Sequence, residues 1–162
     1  MDCCKYCLSL PYPKVEGKID NGTLSLLMQS FGGKNGELTA LSQYTYEDMV
    51  FGEKEKELTE QIKGIAVCEM KHFELLGEAV TFFGGEPLFS GAYRFWSGSF
   101  LNYSKDLKYL LESNIDSEEN AIKEYEKIIN YTDNDTLKRL IGRIIMDEQL
   151  HITLFENLLK QN

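Results

Sequence analysis

The sequence predicts an all-α protein, a four-helix bundle with one long crossover between its second and third helices and a short extra helix near the amino terminus. Three observations lead to this fold class. Four long segments place apolar residues at helical spacing, and no segment shows the alternation of a strand. The two halves of the chain contain matching blocks of residues. An irregular, aromatic stretch between the halves is long enough to pass along a bundle.

Composition limits the classes of function. The 162 residues suffice for one domain with a sizeable core, and 43% hydrophobic with 27% charged residues is ordinary for a soluble globular protein. The net charge of −9 makes a nucleic-acid backbone or an anionic membrane surface an unsuitable partner. No apolar run is long enough to span a membrane, and the start of the chain does not resemble a signal peptide. We therefore expect a cytoplasmic protein.

The four cysteines are Cys3, Cys4, Cys7 and Cys68. Three cysteines clustered near a terminus do not suggest a disulfide framework in a reducing compartment. Cys4 and Cys7 have the spacing of half a zinc or iron knuckle, but no second pair follows to complete four ligands. We interpret the first three as incidental thiols at a frayed terminus and Cys68 as a small buried thiol on a helix.

The amino-terminal region precedes the bundle. Residues 1–20 hold two of the three prolines and show no clear period, which predicts an extended arm on the surface. Residues 21–162 are predicted to form one bundle domain. Within it, residues 22–31 form the short extra helix, which Gly32 and Gly33 end or kink.

Four further segments have the period of long amphipathic helices. The first two, residues 34–52 and 55–83, are separated by a charged turn. The last two, residues 105–131 and 135–160, are separated by a tight turn of Asp and Asn residues that also supplies a helix cap. Short turns within each pair make the paired helices antiparallel neighbours.

The stretch between the pairs, residues 84–104, is irregular and rich in aromatic residues. About 20 extended residues reach up to about 70 Å, whereas a 28-residue helix is about 42 Å long. This stretch is therefore predicted to be the crossover. Its aromatic side chains are expected to pack against the helices rather than to form a ligand pocket. They are Phe89, Tyr93, Phe95, Trp96 and Phe100.

Two Glu-x-x-His motifs carry the chemistry, Glu69 with His72 and Glu148 with His151. Residues three apart on a helix share a face, so each pair can reach one metal ion. Both motifs interrupt otherwise apolar stripes, which predicts that the carboxylates are buried. Burial of a lone carboxylate is so unfavourable that a neutralising cation is the simplest explanation.

A matched glutamate precedes each motif. Glu37 and Tyr44 in the first half correspond to Glu118 and Tyr125 in the second, with the same residue types between them. The chain thus contains two copies of one helical hairpin, and a pseudo-twofold would bring six ligands to one level. Four carboxylates offset two divalent cations, and two imidazoles complete a set suited to iron or manganese. The predicted ligands are Glu37, Glu69, His72, Glu118, Glu148 and His151, of which the four glutamates are also the candidate catalytic residues.

The alternative to a metal centre is a buried salt-bridge layer. That layer is disfavoured because neither apolar stripe supplies a Lys or Arg at the level of the acids. Glu119 competes with Glu118 as the ligand of the second half. Glu118 has the spacing to Tyr125 that Glu37 has to Tyr44, so we choose Glu118. Glu119 is retained as a mobile acid or as an acid behind the ligands.

The groups behind the ligands are expected to be asymmetric. A metal-bound histidine usually donates its other ring N–H to an acceptor. Asp147 is placed to accept from His72, whereas the equivalent position of the first half is Cys68. We therefore expect a weaker or different acceptor on His151.

Tyr44 and Tyr125 lie two turns beyond their glutamates. We interpret both as core residues whose hydroxyl groups find a hydrogen-bond partner, in preference to a redox or proton-transfer role.

The sequence resembles the ferritin-like dimetal carboxylate proteins, and among them the rubrerythrin, manganese-catalase and spore-coat-related branch. Four stretches carry the resemblance: residues 36–44, 69–77, 93–99 and 147–151. The resemblance implies a redox centre of two iron or manganese ions that meets peroxide, dioxygen or ferrous iron. Unlike full-length rubrerythrins, the chain has no pair of Cys-x-x-Cys knuckles after the bundle. An iron form is therefore expected to need an external electron donor.

These features predict a dimetal oxidoreductase acting on hydrogen peroxide or dioxygen, either peroxidase-like or catalase-like, and a homodimer or larger homo-oligomer. One alternative is a ferroxidase that stores iron, which requires a closed shell of many subunits. Another is a structural spore-coat component that retains a dimetal site. Carboxylates and imidazoles accept either iron or manganese.

Overall fold

The computed structural model describes residues 5–52 and 54–161, and these residues form helices and irregular segments only. The helices are α1 (Asn21–Gly32), α2 (Glu37–Phe51), α3 (Lys56–Phe82), α4 (Leu107–Tyr131) and α5 (Asp135–Gln161). A single 3₁₀ turn, Gly98–Phe100, lies in the long connection before α4. The predicted all-α bundle with a short extra helix is confirmed.

Side-chain caps decide where three of the helices begin. Asp20 accepts a hydrogen bond from the Thr23 amide, and Asp106 accepts one from the Tyr109 amide. Asn134 caps α5 by accepting from the Leu137 amide at 2.9 Å. The first long helix begins at Glu37, three residues later than predicted, because residues 33–36 form a turn.

The helices pack as two hairpins. α2 packs principally on α3, and α4 packs principally on α5, while α1 lies against one end of the bundle. The core has two apolar clusters. One contains Leu76 of α3 and Ile141 of α5, and the other contains Ile65 and Phe155 of the same two helices. A polar layer therefore lies between two apolar layers at mid-height.

The connection between α3 and α4 runs along α2. Trp96 Nε1 donates to Thr39 Oγ1 at 3.0 Å, and further along Asn102 N donates to Gln43 Oε1 at 2.8 Å. It is thus the crossover that the sequence predicted. The expectation that all its aromatic residues pack on the helices is wrong, because Tyr93 is 92% exposed.

The exposed aromatic residues follow from a local turn. Ser90 pairs with Phe95 across an isolated bridge, and Tyr93 and Arg94 in the turn between them are exposed. Phe95 itself is also largely exposed. Phe89 is also 59% exposed, but one side of it contacts the rings of Phe31 and Phe73. Only part of this aromatic stretch therefore contributes to packing.

The described part of the amino-terminal arm, residues 5–20, folds back over α3 and α5. Arg143 Nη2 donates to the Leu8 carbonyl at 2.6 Å, and the Glu16 amide donates to Thr136 Oγ1 at 2.8 Å. None of the described helices combines the length and the apolar character needed to cross a membrane.

Candidate metal centre

Six acidic and imidazole side chains form the polar layer at mid-height, and each is at most 2% exposed. They fall into two groups whose candidate ligand atoms lie within 4.8 Å of one another. The first group is Glu37, Glu69, His72 and Glu148, and the second is Glu69, Glu118, Glu148 and His151. Glu69 and Glu148 belong to both groups. The structure therefore places all six sequence-predicted ligands in one cluster with two shared carboxylates.

His72 faces the first group with Nδ1. This atom lies 3.1 Å from Glu148 Oε1, 3.4 Å from Glu69 Oε2 and 3.7 Å from Glu37 Oε2. Glu69 reaches it from the preceding turn of α3, whereas Glu37 and Glu148 come from α2 and α5. Three helices therefore converge on one imidazole nitrogen.

His151 repeats this arrangement in the second group. Its Nδ1 lies 2.8 Å from Glu69 Oε1, 3.0 Å from Glu148 Oε2 and 3.8 Å from Glu118 Oε1. The contact with Glu148 lies within α5, while Glu69 and Glu118 come from α3 and α4. The two half-sites are thus related by exchange of one hairpin for the other.

The far side of each imidazole has its own acceptor. His72 Nε2 lies 3.1 Å from Asp147 Oδ2, and His151 Nε2 lies 2.8 Å from the Tyr6 carbonyl. A carbonyl only accepts, so His151 carries its proton on Nε2, and the same tautomer of His72 donates to Asp147. In both cases Nδ1 is the ring nitrogen that faces the carboxylates, as a metal ligand requires. The acceptors differ because one is a side chain and the other is main chain of the arm.

Asp147 is held by three further groups. Its Oδ1 accepts from the Leu8 amide at 2.7 Å, and its Oδ2 accepts from the Tyr12 hydroxyl at 2.6 Å. Arg143 Nη1 lies 2.7 Å from Oδ2. Burial opposes ionisation, but hydrogen bonds from His72, Arg143 and Tyr12 outweigh it and hold the pKa of Asp147 below its usual range.

Arg143 corrects one expectation from the sequence. No Lys or Arg was expected at the level of the acids, yet Arg143 is only 5% exposed and pairs with Asp147. The two residues are four apart on α5 and so share a helical face. The cation lies behind the cluster rather than among the ligands, where it neutralises Asp147.

Each glutamate from a single-ligand helix accepts a hydrogen bond from the tyrosine of the opposite hairpin. Tyr44 Oη donates to Glu118 Oε1 at 2.5 Å, and Tyr125 Oη donates to Glu37 Oε1. Burial and the neighbouring charge of Glu118 raise the pKa of Tyr44, which keeps its hydroxyl protonated. The sequence indicated core tyrosines with hydrogen-bonded hydroxyl groups, and the structure shows the acceptors to be candidate ligands.

Glu119 lies apart from the cluster. It is exposed on α4, whereas the preceding residue Glu118 is buried, because consecutive helical residues point about 100° apart. The role of Glu119 as an acid behind the ligands is therefore not supported by its position.

The expectations of an incidental thiol at Cys7 and of a free buried thiol at Cys68 are wrong, because the two residues form a disulfide. The arm returns over α3 and brings the two residues together although they are 61 positions apart. Cys3 and Cys4 lie outside the described residues.

The electrostatics of the cluster fit a pair of cations. Burial, and then repulsion by Glu69 and Glu148, raise the pKa values of Glu37 and Glu118. Burial would lower the pKa values of both imidazoles, but the surrounding carboxylates raise them. Without metal, these glutamates and histidines therefore retain protons that offset the negative charge of the cluster. The charge of bound metal ions would take the place of those protons.

Three buried carboxylate oxygens test the fit of a metal more directly. Within the described chain, Glu37 Oε2, Glu69 Oε1 and Glu148 Oε1 accept no hydrogen bond, although each lies near an imidazole Nδ1. A buried oxygen without a donor is costly, whereas a metal ion satisfies it. The donor set of four carboxylates and two imidazoles therefore fits two divalent iron or manganese ions.

Glu47 is a buried acid that the sequence analysis missed. Its Oε1 accepts from Gln43 Nε2 at 2.7 Å and its Oε2 accepts from Asn114 Nδ2 at 2.8 Å. Burial raises the pKa of Glu47 to about 7, although these two amide groups lower it. The presence of Asn114 on the apolar face of α4 was a signal that a polar partner faces it.

Replacing Glu47 with Gln should remove a pH-dependent loss of stability. Because the pKa of Glu47 is raised in the folded state, the contribution of this residue to the free energy of unfolding is fully present below its unfolded-state pKa. That contribution is lost as pH rises through about 7. The loss is roughly 3 kcal/mol at about 1.4 kcal/mol per pKa unit. Urea unfolding of metal-free Glu47→Gln and wild type at about pH 5 and about pH 9 measures this difference.

Any constant offset from rearranged amide hydrogen bonds cancels between the two pH values. The exposed Glu119→Gln variant is the matched control and should follow wild type at both. An equal difference between Glu47→Gln and wild type at both pH values would contradict the assignment.

The bundle and its six-residue cluster define a ferritin-like dimetal carboxylate protein. The rubrerythrin family model matches residues 27–159. The chain belongs to the rubrerythrin family. The cofactor of this family is a pair of iron or manganese ions, as the sequence predicted.

Two curated relatives carry different names. A bacterioferritin of Desulfovibrio desulfuricans is 32% identical over 130 residues, covering 75% of this chain and 67% of the relative. A probable manganese catalase of Clostridium acetobutylicum is 26% identical over 171 aligned residues, covering 91% of this chain and 75% of the relative.

Solved structures show the same fold. KatB, a manganese catalase from Anabaena, has a TM-score of 0.85 at 24% identity, covering 94% of this chain and 78% of that chain. The Desulfovibrio desulfuricans bacterioferritin, described with a diiron site in different catalytic states, has a TM-score of 0.71 at 26% identity, covering 86% of this chain and 78% of that chain.

Proposed function

We propose that this protein is a cytoplasmic dimetal oxidoreductase that reduces hydrogen peroxide, with dioxygen as the alternative oxidant of the same chemistry. The observation that carries the proposal is the pair of half-sites that share Glu69 and Glu148 inside a buried layer. The probable manganese catalase that aligns with 91% of the chain supports peroxide as the substrate.

His72 with Glu37 would hold one ion, and His151 with Glu118 would hold the other. The two shared carboxylates would contact both. When bound, the two ions supply the two electrons that cleavage of an O–O bond requires, without release of a radical.

The side chains around the ions control orientation and protons. Tyr44 and Tyr125 each donate a hydrogen bond that fixes one oxygen of Glu118 and Glu37 respectively, so only the other oxygen is free to move. With metal bound, a carboxylate that could shift between one-oxygen and two-oxygen binding would make room for peroxide. The apolar layers above and below limit water at the site.

Metal analysis and an oxygen electrode together test this proposal. Protein purified without added metal should contain about two manganese or iron ions per chain, one for each half-site. Added peroxide should be consumed. Oxygen release without a reductant would identify catalase-type turnover, whereas consumption only with a reductant would identify a peroxidase. Failure of the metal-loaded protein to consume peroxide would refute the proposal.

The 32% identity to a bacterioferritin favours a second candidate, ferroxidase with iron storage. That function predicts rapid oxidation of ferrous iron and a closed shell of many subunits, which light scattering detects at once. A homodimer or other small homo-oligomer with slow ferrous oxidation would exclude it.

A further inference from the structure

The Cys7–Cys68 disulfide lies directly behind the candidate metal centre. Cys68 precedes the shared ligand Glu69 and is fully buried. Its Sγ lies 3.6 Å from Nε2 of His72, the ring nitrogen opposite the one that faces the carboxylates. A two-electron redox group is therefore in van der Waals contact with an imidazole of the cluster.

The other sulfur can be reached from outside. Cys7 is only partly buried and lines a cavity of about 450 Å³ between the arm and α3. Tyr12 and Met70 contribute to its apolar wall, and Lys71 lines it with a side chain that is 46% exposed. Glu74 lines the same cavity and pairs with Lys71 at 3.4 Å, so these two charges offset each other and the largely apolar cavity fits a small uncharged thiol.

The arm is held independently of the disulfide. Arg143 donates to the carbonyl groups of Leu8 and Leu10, and the Leu8 amide donates to Asp147. These contacts would keep Cys7 beside Cys68 after the S–S bond is reduced, so the pair can close again. In the cytoplasm, disulfides are usually transient and catalytic or redox-sensing rather than structural.

We propose that Cys7 and Cys68 form a redox-active pair that carries two electrons from a low-molecular-weight thiol to peroxide at the metal centre. This inference rests on the proposed function and names its electron donor. The inner sulfur, Cys68, would exchange electrons with the centre past His72, while the outer sulfur, Cys7, would react with the thiol.

The chemistry balances in two half-reactions. The thiolate of one donor thiol attacks Cys7 Sγ, the S–S bond breaks, and Cys68 leaves and takes up a proton. A second donor thiol attacks the mixed disulfide, which releases the oxidised donor and leaves Cys7 as a thiol. Peroxide then accepts two electrons and two protons from the pair: its O–O bond breaks, two water molecules form, and the Cys7–Cys68 bond is restored.

The test counts thiols in the full chain. Cys3→Ser and Cys4→Ser are introduced into every sample, so that only Cys7 and Cys68 remain. The protein is reduced with dithiothreitol, freed of it without oxygen, loaded with manganese and mixed with one equivalent of peroxide. Both thiols should disappear, and the intact mass should fall by two hydrogens. The same protein kept metal-free with a chelator should lose its thiols roughly tenfold more slowly, or slower still.

A second measurement uses Cys7→Ser in the same background. This variant should retain manganese and any thiol-independent oxygen release but lose consumption of peroxide driven by excess β-mercaptoethanol. Free thiols remaining after peroxide addition, or equal oxidation rates with and without metal, would overturn the inference. If the manganese-loaded protein still released oxygen from peroxide, the proposed function would survive the failure of this inference. If it consumed no peroxide at all, both the inference and the proposed function would be overturned.

Discussion

Glu69→Gln combined with Glu148→Gln is expected to abolish metal binding and peroxide turnover while leaving the bundle folded. Both residues contact both half-sites, so their loss removes two ligands from each ion. Changes to groups that merely hold a metal ligand typically cost about 10–100-fold in affinity or activity. Loss of the two shared ligands should exceed that range. Metal content per chain and initial rates of peroxide consumption measure the effect.

Gln has the shape of Glu, so circular dichroism and subunit assembly should match wild type. Glu119→Gln on the exposed face of α4 is the matched control and should retain full metal content. A double variant that binds two metals and turns over peroxide would refute the assignment of the site. Lost assembly would instead favour a structural role, as in a spore-coat component.

Arg143→Leu is expected to destabilise the fold by about 3–5 kcal/mol, the range for removing one partner of a buried ion pair. The guanidinium group pairs with Asp147 at 2.7 Å, donates to two carbonyl groups of the arm and stacks on the Tyr12 ring. Leu leaves Asp147 without its main counter-charge and the carbonyl groups without donors. Urea unfolding of the metal-free protein measures the loss.

Arg139→Leu is the control on the same helix, because Arg139 is exposed. Its effect on the free energy of unfolding should lie within about 0.5 kcal/mol. A comparably small effect of Arg143→Leu would show that the arm is not held by this side chain. Since the arm supplies the acceptor on His151, Arg143→Leu should also weaken metal binding.

Much of the candidate site followed from local spacing. The pairs Glu69 with His72 and Glu148 with His151 are three residues apart, and a helix places such residues on one face whatever surrounds it. The repeat added Glu37 and Glu118 by analogy between the hairpins. The structure brings these residues into one buried cluster.

Other features had no local signal. The Tyr6 carbonyl lies behind His151 from 145 positions away, and the arm that carries it has no periodicity. The Cys7–Cys68 bond depends on the same arm. Arg143 was overlooked because a single cation on a helix is usually exposed, and only the position of the arm shows it to be buried.

The aromatic crossover shows a different limit. Its length indicated correctly that it spans the bundle, but length does not determine which side chains turn inward. The Ser90–Phe95 bridge directs Tyr93 to solvent. In the same way, Glu47 became recognisable as a buried acid only when Asn114 was placed opposite it.

The sequence by itself determined the four helices, the duplicated hairpin and the six side chains of the candidate metal centre, because helical periodicity converts spacing directly into shared faces. Tertiary structure alone decided which tyrosine holds which glutamate, which groups stand behind each histidine, and that a cysteine pair adjoins the centre. Those contacts join residues that are far apart in the chain. Their geometry depends on how irregular segments run across the bundle, and no local spacing specifies that path.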